Sequence, residues 1–342
     1  MEDKKSIKAS FDRLPAEEQE QLLNELLQAQ ELKGDLLETA GQDVANTRKR
    51  KPCPHCRSEK VYKRGKQKGV QMYQCRECTK WYSETTGTPL WDIKLKHKWQ
   101  AYLRCMQQGM AIKKIAKELN ISIQTSFDWR HKILSSLAEL SPEKLQGIVE
   151  CDELELPVNN KGCRSLDREP RKRPSDFKRN EPYDGASTVQ VVTVVERGGG
   201  KYLKAVEAKG LSTEQIRQAL KGKLAEGTTL ITDKHPSYKA LTKQNPSLKH
   251  KTVRSTDHVN PKDKTVHLQH VNSTHGQLRK FLSPFNGVSS KYLQNYLNWF
   301  AYADQLANTK TLLKQWLITI LLSPNAYALF RLFKENAVNI RT

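Results

Sequence analysis

The sequence predicts a multi-domain protein: a small cysteine-held ribbon, a helical helix-turn-helix module, and then an α/β domain on a mixed sheet. Three observations carry that expectation. Two Cys-x-x-Cys pairs, Cys53/Cys56 and Cys75/Cys78, flank the segment 57–74. Three short segments with helical spacing of apolar residues follow between 97 and 137. Beyond residue 147, β-branched runs alternate with helical patterns. The expected divisions are 1–47 (an amphipathic helix and linker), 48–90 (the ribbon), 91–145 (the helical module), 146–310 (the α/β domain, with a basic insertion at 156–185) and 311–342 (C-terminal helices).

The first segment holds Leu14, Leu22, Leu23, Leu26, Leu27 and Leu32 among Glu and Gln, with Pro15 near its start. This is the pattern of an amphipathic helix over 14–33, packed on its own chain or on another subunit. Residues 34–50 read as linker and end in the basic run Arg48-Lys49-Arg50-Lys51.

Across 342 residues, 58 Lys and Arg face 37 Asp and Glu, a formal net charge of +21. Residues 1–47 carry 5 basic and 11 acidic side chains, net −6, so the remainder carries +27 (21 + 6). That excess points to a polyanionic partner, bound in a salt-dependent way, rather than to a merely solvated surface. No run of 18 apolar residues occurs; Trp316–Leu322 is too short to span a bilayer and reads as a buried helix. The start Met-Glu-Asp-Lys-Lys, with no apolar segment behind it, points away from a signal peptide and toward a cytoplasmic protein.

Spacing of the four cysteines fits one tetrahedral Zn²⁺ held by thiolates. Two disulfides are the rival pairing, disfavoured by an odd total of seven cysteines and by an expected reducing compartment. His55 lies inside the first knuckle and is expected to face solvent. Lys60, Lys63, Arg64, Lys66, Lys68 and Arg76, with Tyr62 and Tyr73, surround the metal knuckle, which makes it a nucleic-acid-binding module.

Gly87 and Pro89 turn the chain out of the ribbon. The first helix then carries Trp99, Tyr102, Leu103 and Met106 and stops at Gly109; the second carries Ile112, Ile115, Ala116 and Leu119. Asn120-Ile121-Ser122 forms a tight turn, with Ser122 set to cap a third helix over 123–137. A helix, a three-residue turn and a longer helix form the helix-turn-helix pattern, which puts Gln124, Thr125, Ser126 and Arg130 at the DNA major groove. An ordinary helical hairpin is the alternative.

In the last large segment, strands are expected at 148–152, 189–195, 201–208, 228–232 and 249–254, and helices at 213–224, 237–243, 272–283 and 289–308. Three strands, a helix, a strand, a helix and a strand is the ribonuclease H-like order, an antiparallel meander with parallel additions. The insertion 156–185 holds eight Lys and Arg with four Pro and is expected to order only on DNA. Asp152 then ends the first strand and Asp233 the fourth. These strands are neighbours in that topology, so residues 81 apart (233 − 152) bring two carboxylates to one pair of Mg²⁺ ions. Glu153 and Glu155 alternate with Asp152 and are expected to point elsewhere. His258, His267 and His270 form a local cluster: a second metal site, a phosphate contact or exposed loop residues.

At this point the chain resembles insertion-sequence transposases that carry an N-terminal zinc ribbon and a DDE-type catalytic domain, the group typified by the "fifteen-ninety-five" elements. The carriers are Cys53-Pro54-His55-Cys56 with Cys75-Arg76-Glu77-Cys78, Thr86-Gly87-Thr88-Pro89-Leu90, Glu150-Cys151-Asp152-Glu153, Thr232-Asp233-Lys234-His235-Pro236-Ser237-Tyr238 and His270-Val271-Asn272-Ser273-Thr274-His275, spread over roughly 50–308. The resemblance implies cleavage at element ends and joining of a 3′-OH to target DNA with Mg²⁺ or Mn²⁺, by a homodimer or larger assembly at the bacterial nucleoid. It also implies a third catalytic position on the helix after the fifth strand. His275 stands where Asn-x-x-Glu is expected, which gives a DDH-like triad of Asp152, Asp233 and His275. Imidazole completes a metal shell without adding negative charge, and a protonated ring is expelled from a cation site. The other reading of His275 is a helix surface residue in a weakened enzyme, with Asn272 the alternative ligand. The family's basic residue lies seven positions on; here Arg279 and Lys280, at plus four and plus five, are the phosphate-binding candidates.

A DNA transposase is therefore expected. One rival is a transposase-derived regulator that binds DNA without cutting it. Another is a structure-selective nuclease or resolvase that cuts branched DNA without a cognate end.

Overall fold

The structure, a computed structural model, describes residues 52–67, 70–83, 85–91, 93–138, 144–163, 188–207, 210–254, 257, 259–307, 323 and 326–339, with isolated positions between 10 and 19. The N-terminal helix expected at 14–33, residues 164–185 of the insertion, His258 and the segment 316–322 lie outside the described residues, the first apart from those isolated positions. Two compact units form: residues 1–84 with 312–322, and residues 85–311 with 323–342. No helix among the described residues is long and apolar enough to cross a membrane.

In the first unit, β1 (Val61–Gln67), β2 (Val70–Cys75) and β3 (Trp81–Ser83) make an antiparallel sheet in that order. The pleat splits it into two faces. Tyr73 and Tyr82 stack at 5.3 Å on one face and pack with Cys53 and Cys75. Tyr62, Gln74 and Trp81 pair across the three strands in the neighbouring row.

The second unit opens with α1 (Trp99–Gln107), α2 (Ile112–Glu118) and α3 (Ile123–Leu137). Their apolar residues recur at helical spacing and are buried together: Trp99, Tyr102, Leu103, Met106, Ile115, Trp129, Ile133 and Leu134. Asn120 turns the chain between α2 and α3 in the left-handed region, φ +47°, which Asn tolerates better than most residues. Ser122 then caps α3, its Oγ accepting the Thr125 N–H at 2.9 Å.

A five-stranded mixed sheet follows, built from β4 (Ile148–Pro157), β5 (Thr188–Glu196), β6 (Lys201–Glu207), β7 (Thr229–Thr232) and β8 (Lys249–Thr252), in the order β6-β5-β4-β7-β8. The β4–β5 and β5–β6 pairs are antiparallel; β4–β7 and β7–β8 are parallel. α4 (Thr213–Leu220) and α5 (Pro236–Gln244) cover one face, burying Val149, Cys151, Val192, Val194, Ile216, Leu230 and Tyr238. α6 (Gln269–Leu282) and α7 (Ser290–Ala307) cover the other, against Leu154, Val189, Val191 and Leu203. Each such aliphatic side chain contributes about 1.5–3 kcal/mol by leaving water. α8 (Ala326–Asn339) closes the unit.

Four expectations are corrected. β4 runs on to Pro157, with Leu156 and Pro157 paired to Val189 and Thr188, so the insertion begins later than residue 156 and Asp152 lies mid-strand. The charged alternation of Glu153 and Glu155 hid the second half of this strand. The helical module is not a separate body, because α3 packs on α7 and α8 within one unit. Ser126, expected at the DNA groove, is buried, its Oγ donating to the Ile112 carbonyl at 3.0 Å. Arg130 is also fully buried: its guanidinium donates to the Met110 carbonyl and lies 5.5 Å from the Phe285 ring and 5.1 Å from Trp299. Polar residues there read as surface, but the C-terminal half of α3 is enclosed by other helices.

Arg130→Ala removes that packing and leaves a polar hole; it is expected to cost about 2–4 kcal/mol in urea unfolding. Gln124→Ala, on an exposed position of the same helix, should stay within about 0.5 kcal/mol. Equal stabilities for the two variants contradict the placement of Arg130.

Candidate active site

The four cysteines of the ribbon bring their ligand atoms within 4.8 Å of one another. Cys53 Sγ lies 3.5 Å from Cys78 Sγ, and Cys56 Sγ 3.5 Å from Cys75 Sγ. A tetrahedron of about 2.3 Å Zn–S bonds needs sulfurs separated on this scale. Backbone N–H groups point at the sulfurs, from His55 to Cys53 and from Glu77 and Cys78 to Cys75. Donors of this kind favour thiolate over thiol, and those on Cys75, led by the Cys78 N–H, hold it down at about 6. The donor set therefore fits a zinc ion.

In the second unit, the parallel pairing of β4 with β7 places Ile148 opposite Thr229 and Glu150 opposite Ile231. That is a constant offset of 81 (229 − 148). Asp152 and Asp233 have the same offset (233 − 152) and stand two residues past the last pair, Glu150 with Ile231. Strand alternation turns Asp152 to the same face as Glu150, the one covered by α6. Asp233 leaves β7 at once, its Oδ1 accepting the His235 N–H at 2.9 Å where α5 begins. Burial, then the nearby carboxylates of Glu153 and Asp233, push Asp152 up to about 7. Glu153 points to the opposite face, as expected, where it accepts the Tyr238 hydroxyl at 2.7 Å.

α6 presents Val271, Thr274, His275 and Leu278 inward, one stripe at helical spacing. His275 is 5% exposed and its Nε2 is buried with no hydrogen-bond partner. A buried ring nitrogen left unpaired is costly, and an imidazole lone pair suits a metal. Burial first, then the Arg279 charge one turn on, hold the ring down at about 4. The imidazole is thus neutral at pH 7, the form that ligates. Asn272, Arg279 and Lys280 are exposed on α6, as are Gln124 and, partly, Thr125 on α3.

The three residues occupy neighbouring elements, but their ligand atoms do not all lie within 4.8 Å of one another. Among the described residues only the four cysteines and the trio Glu150, His267 and His270 meet that distance. Burial, and after it the charges of Glu153 and Asp233, keeps the Asp152 carboxyl raised.

Glu150 belongs to the motif Glu150-Cys151-Asp152-Glu153, where no role was expected of it. Its side chain is fully buried. Oε2 accepts the backbone N–H groups of His270 and Val271, at 2.9 and 3.1 Å, in the first turn of α6. Oε1 accepts from Arg197 Nε at 2.9 Å and faces His270 Nδ1 at 2.8 Å. Arg197 also donates to the carbonyls of Thr265 and His267. This network pins the start of α6 to β4, two residues from Asp152. The Arg197 guanidinium already supplies the cation there, so the His267–His270 cluster reads as an anchor rather than a metal site. The usable signal was local: a Glu on the same strand face as Asp152, two positions before it.

Residues 144–304 match the model of the ISXO2-like transposase domain. A protein of the transposable element ISH50 from Halobacterium salinarum, itself uncharacterised, is 27% identical over 251 residues, 72% of this chain and 83% of that protein. Among solved structures, a chain of the simian T-cell lymphotropic virus intasome in complex with PP2A regulatory subunit B56 gamma is 10% identical and covers 58% of this chain and 66% of its own, with a TM-score of 0.28. A chain of the pre-cleavage Mos1 transpososome is 12% identical over 63% and 78%, with a TM-score of 0.24. Scores this low establish no common fold.

Two outcomes test the site. The Asp152 carboxyl stands above its ordinary value in the folded chain, so the fold holds a proton between pH 3.8 and about 7 and loses stability as pH rises through that window. Asp152→Asn should therefore raise the Tm at pH 8, in buffer without added divalent ions, with no gain at pH 4; a gain independent of pH contradicts the burial. Glu150→Gln leaves Arg197 short of a charge partner and should cost about 3–5 kcal/mol in urea unfolding. A loss below about 1 kcal/mol, the scale of a surface pair, rules out the anchor.

Proposed function

We propose that this chain is a DNA transposase of the ISXO2-like kind, which binds the terminal repeats of its element, cuts at the ends and joins the freed 3′-OH to target DNA. The observations that support the reading are the parallel β4–β7 pairing, which ends at Glu150 and Ile231, two residues before Asp152 and Asp233, and the buried, unpartnered His275 nitrogen on α6. The domain match over 144–304 and the relative encoded in a transposable element support it.

Asp152 and Asp233 offer carboxylate oxygens and His275 a neutral nitrogen to Mg²⁺ or Mn²⁺. When bound, such ions stabilise the attacking and leaving oxygens of phosphoryl transfer. In the first step water attacks the phosphorus at the element end; the P–O3′ bond breaks, leaving a 3′-OH on the element and a 5′-phosphate on the flank. In the second, that 3′-OH attacks a target phosphodiester; its P–O3′ bond breaks and the element strand is joined to the target 5′-phosphate. The exposed start of α3, Gln124 and Thr125, is assigned to duplex recognition, the zinc ribbon to DNA beside it, and Arg279 and Lys280 to phosphates. Pairing two ends calls for a dimer or a larger assembly.

A second reading, a regulator that binds DNA without cutting it, draws on His275 replacing an acidic residue and on ligand atoms that are not all within 4.8 Å of one another. The two separate on an oligonucleotide carrying the element end. Asp233→Ala should lose nicking and joining while end-specific binding persists. If the unmodified protein neither nicks nor joins in Mg²⁺ or Mn²⁺, the regulator reading holds.

A further inference from the structure

The outward face of the ribbon sheet carries side chains that the cysteine site does not use. Tyr62, Gln74 and Trp81 pair in one row across β1, β2 and β3. Tyr62 is 43% and Trp81 55% exposed, the only large aromatic side chains so open among the described residues. They are not needed for packing, since Tyr73 and Tyr82 fill the inner face. Arg64 bridges the row: its guanidinium carbon lies 5.1 Å from the Tyr62 ring centroid and 5.9 Å from that of Trp81. Its Nε and Nη2 both donate to Gln74 Oε1, at 3.0 and 2.8 Å. Arg76 sits 4.2 Å from Tyr62. Residues 52–83 hold eight Lys and Arg against two Glu, net +6 (8 − 2).

We propose that this face is a stacking platform for unpaired bases of single-stranded DNA. Flat rings and guanidinium planes recognise the faces of nucleobases, and the surrounding cations attract phosphate. Duplex bases turn their faces to one another and offer only edges, which a flat sheet face does not reach. Two inter-strand spacings give a row about 10 Å wide, room for two neighbouring unstacked bases. The inference rests on reading the chain as a DNA-processing protein, whose cut ends expose unpaired strands, but its readout requires no joining.

The test is fluorescence anisotropy of the zinc-loaded full chain with labelled oligothymidylate and with a duplex of equal length. Tyr62→Ala and Trp81→Ala should each weaken single-strand binding roughly 5- to 100-fold and leave duplex binding unchanged, while Tyr62→Phe and Trp81→Phe retain it. Should an alanine variant lose zinc, Arg64→Lys, which keeps the charge and removes the planar group, serves in the same comparison. Equal losses on both DNAs, or none on the single strand, overturn the platform. A protein that keeps its single-strand preference yet never joins DNA refutes the transposase reading alone.

Discussion

A buried carboxylate on β4 ties the sheet to the helix that completes the candidate active site. Taking the Glu150 charge out of water costs several kcal/mol unless donors replace the lost hydration. Here the replacement is full: two backbone N–H groups at the start of α6, a guanidinium and an imidazole nitrogen. The backbone donors lie at the positive end of the helix dipole, where a carboxylate is favoured. α6 is therefore held at one position along β4. Since His275 sits in the second turn of that helix and Asp152 two residues from Glu150, one interaction sets the distance between two parts of the site.

The same region is electrostatically expensive by itself. Asp152 is pushed up by burial and by its acidic neighbours, and His275 is held neutral by burial and by Arg279. A site that sets the raised Asp152 carboxyl near an unprotonated imidazole resists a proton on the ring and gains from a bound cation. Local destabilisation of this kind is a common signature of functional clusters, because stability and activity ask different things of the same residues. His275 brings no charge of its own, so a cation there is held by two carboxylates and a neutral nitrogen, a softer and less anionic set than three carboxylates.

Much of this was legible in the sequence, and the reasons differ by element. The cysteine knuckles are local, so Cys-x-x-Cys spacing carries nearly all of their geometry. The continuous β-branched run of β5 and the capping Ser122 are likewise short-range signals. The strand order followed from pattern plus topology. What escaped was decided by tertiary contact. Glu150 is marked locally only by its place two residues before Asp152; the donors it meets, at 197, 270 and 271, are distant in sequence. Arg130 and Ser126 have surface-type side chains, yet α7, α8 and α2 enclose them. Glu153 and Glu155 look like the end of a strand, whereas β4 continues because β5 pairs with it along its whole length.

The proposed ion site is tested most directly by following the histidine ring nitrogens of ¹⁵N-histidine-labelled protein by NMR while Mn²⁺ is added. Paramagnetic broadening should strike the His275 ring at the first equivalents and be lost in Asp152→Ala. Broadening of His267 and His270 with His275 left sharp would put the ion at the Glu150 cluster instead and contradict the assignment of the Asp152, Asp233 and His275 site.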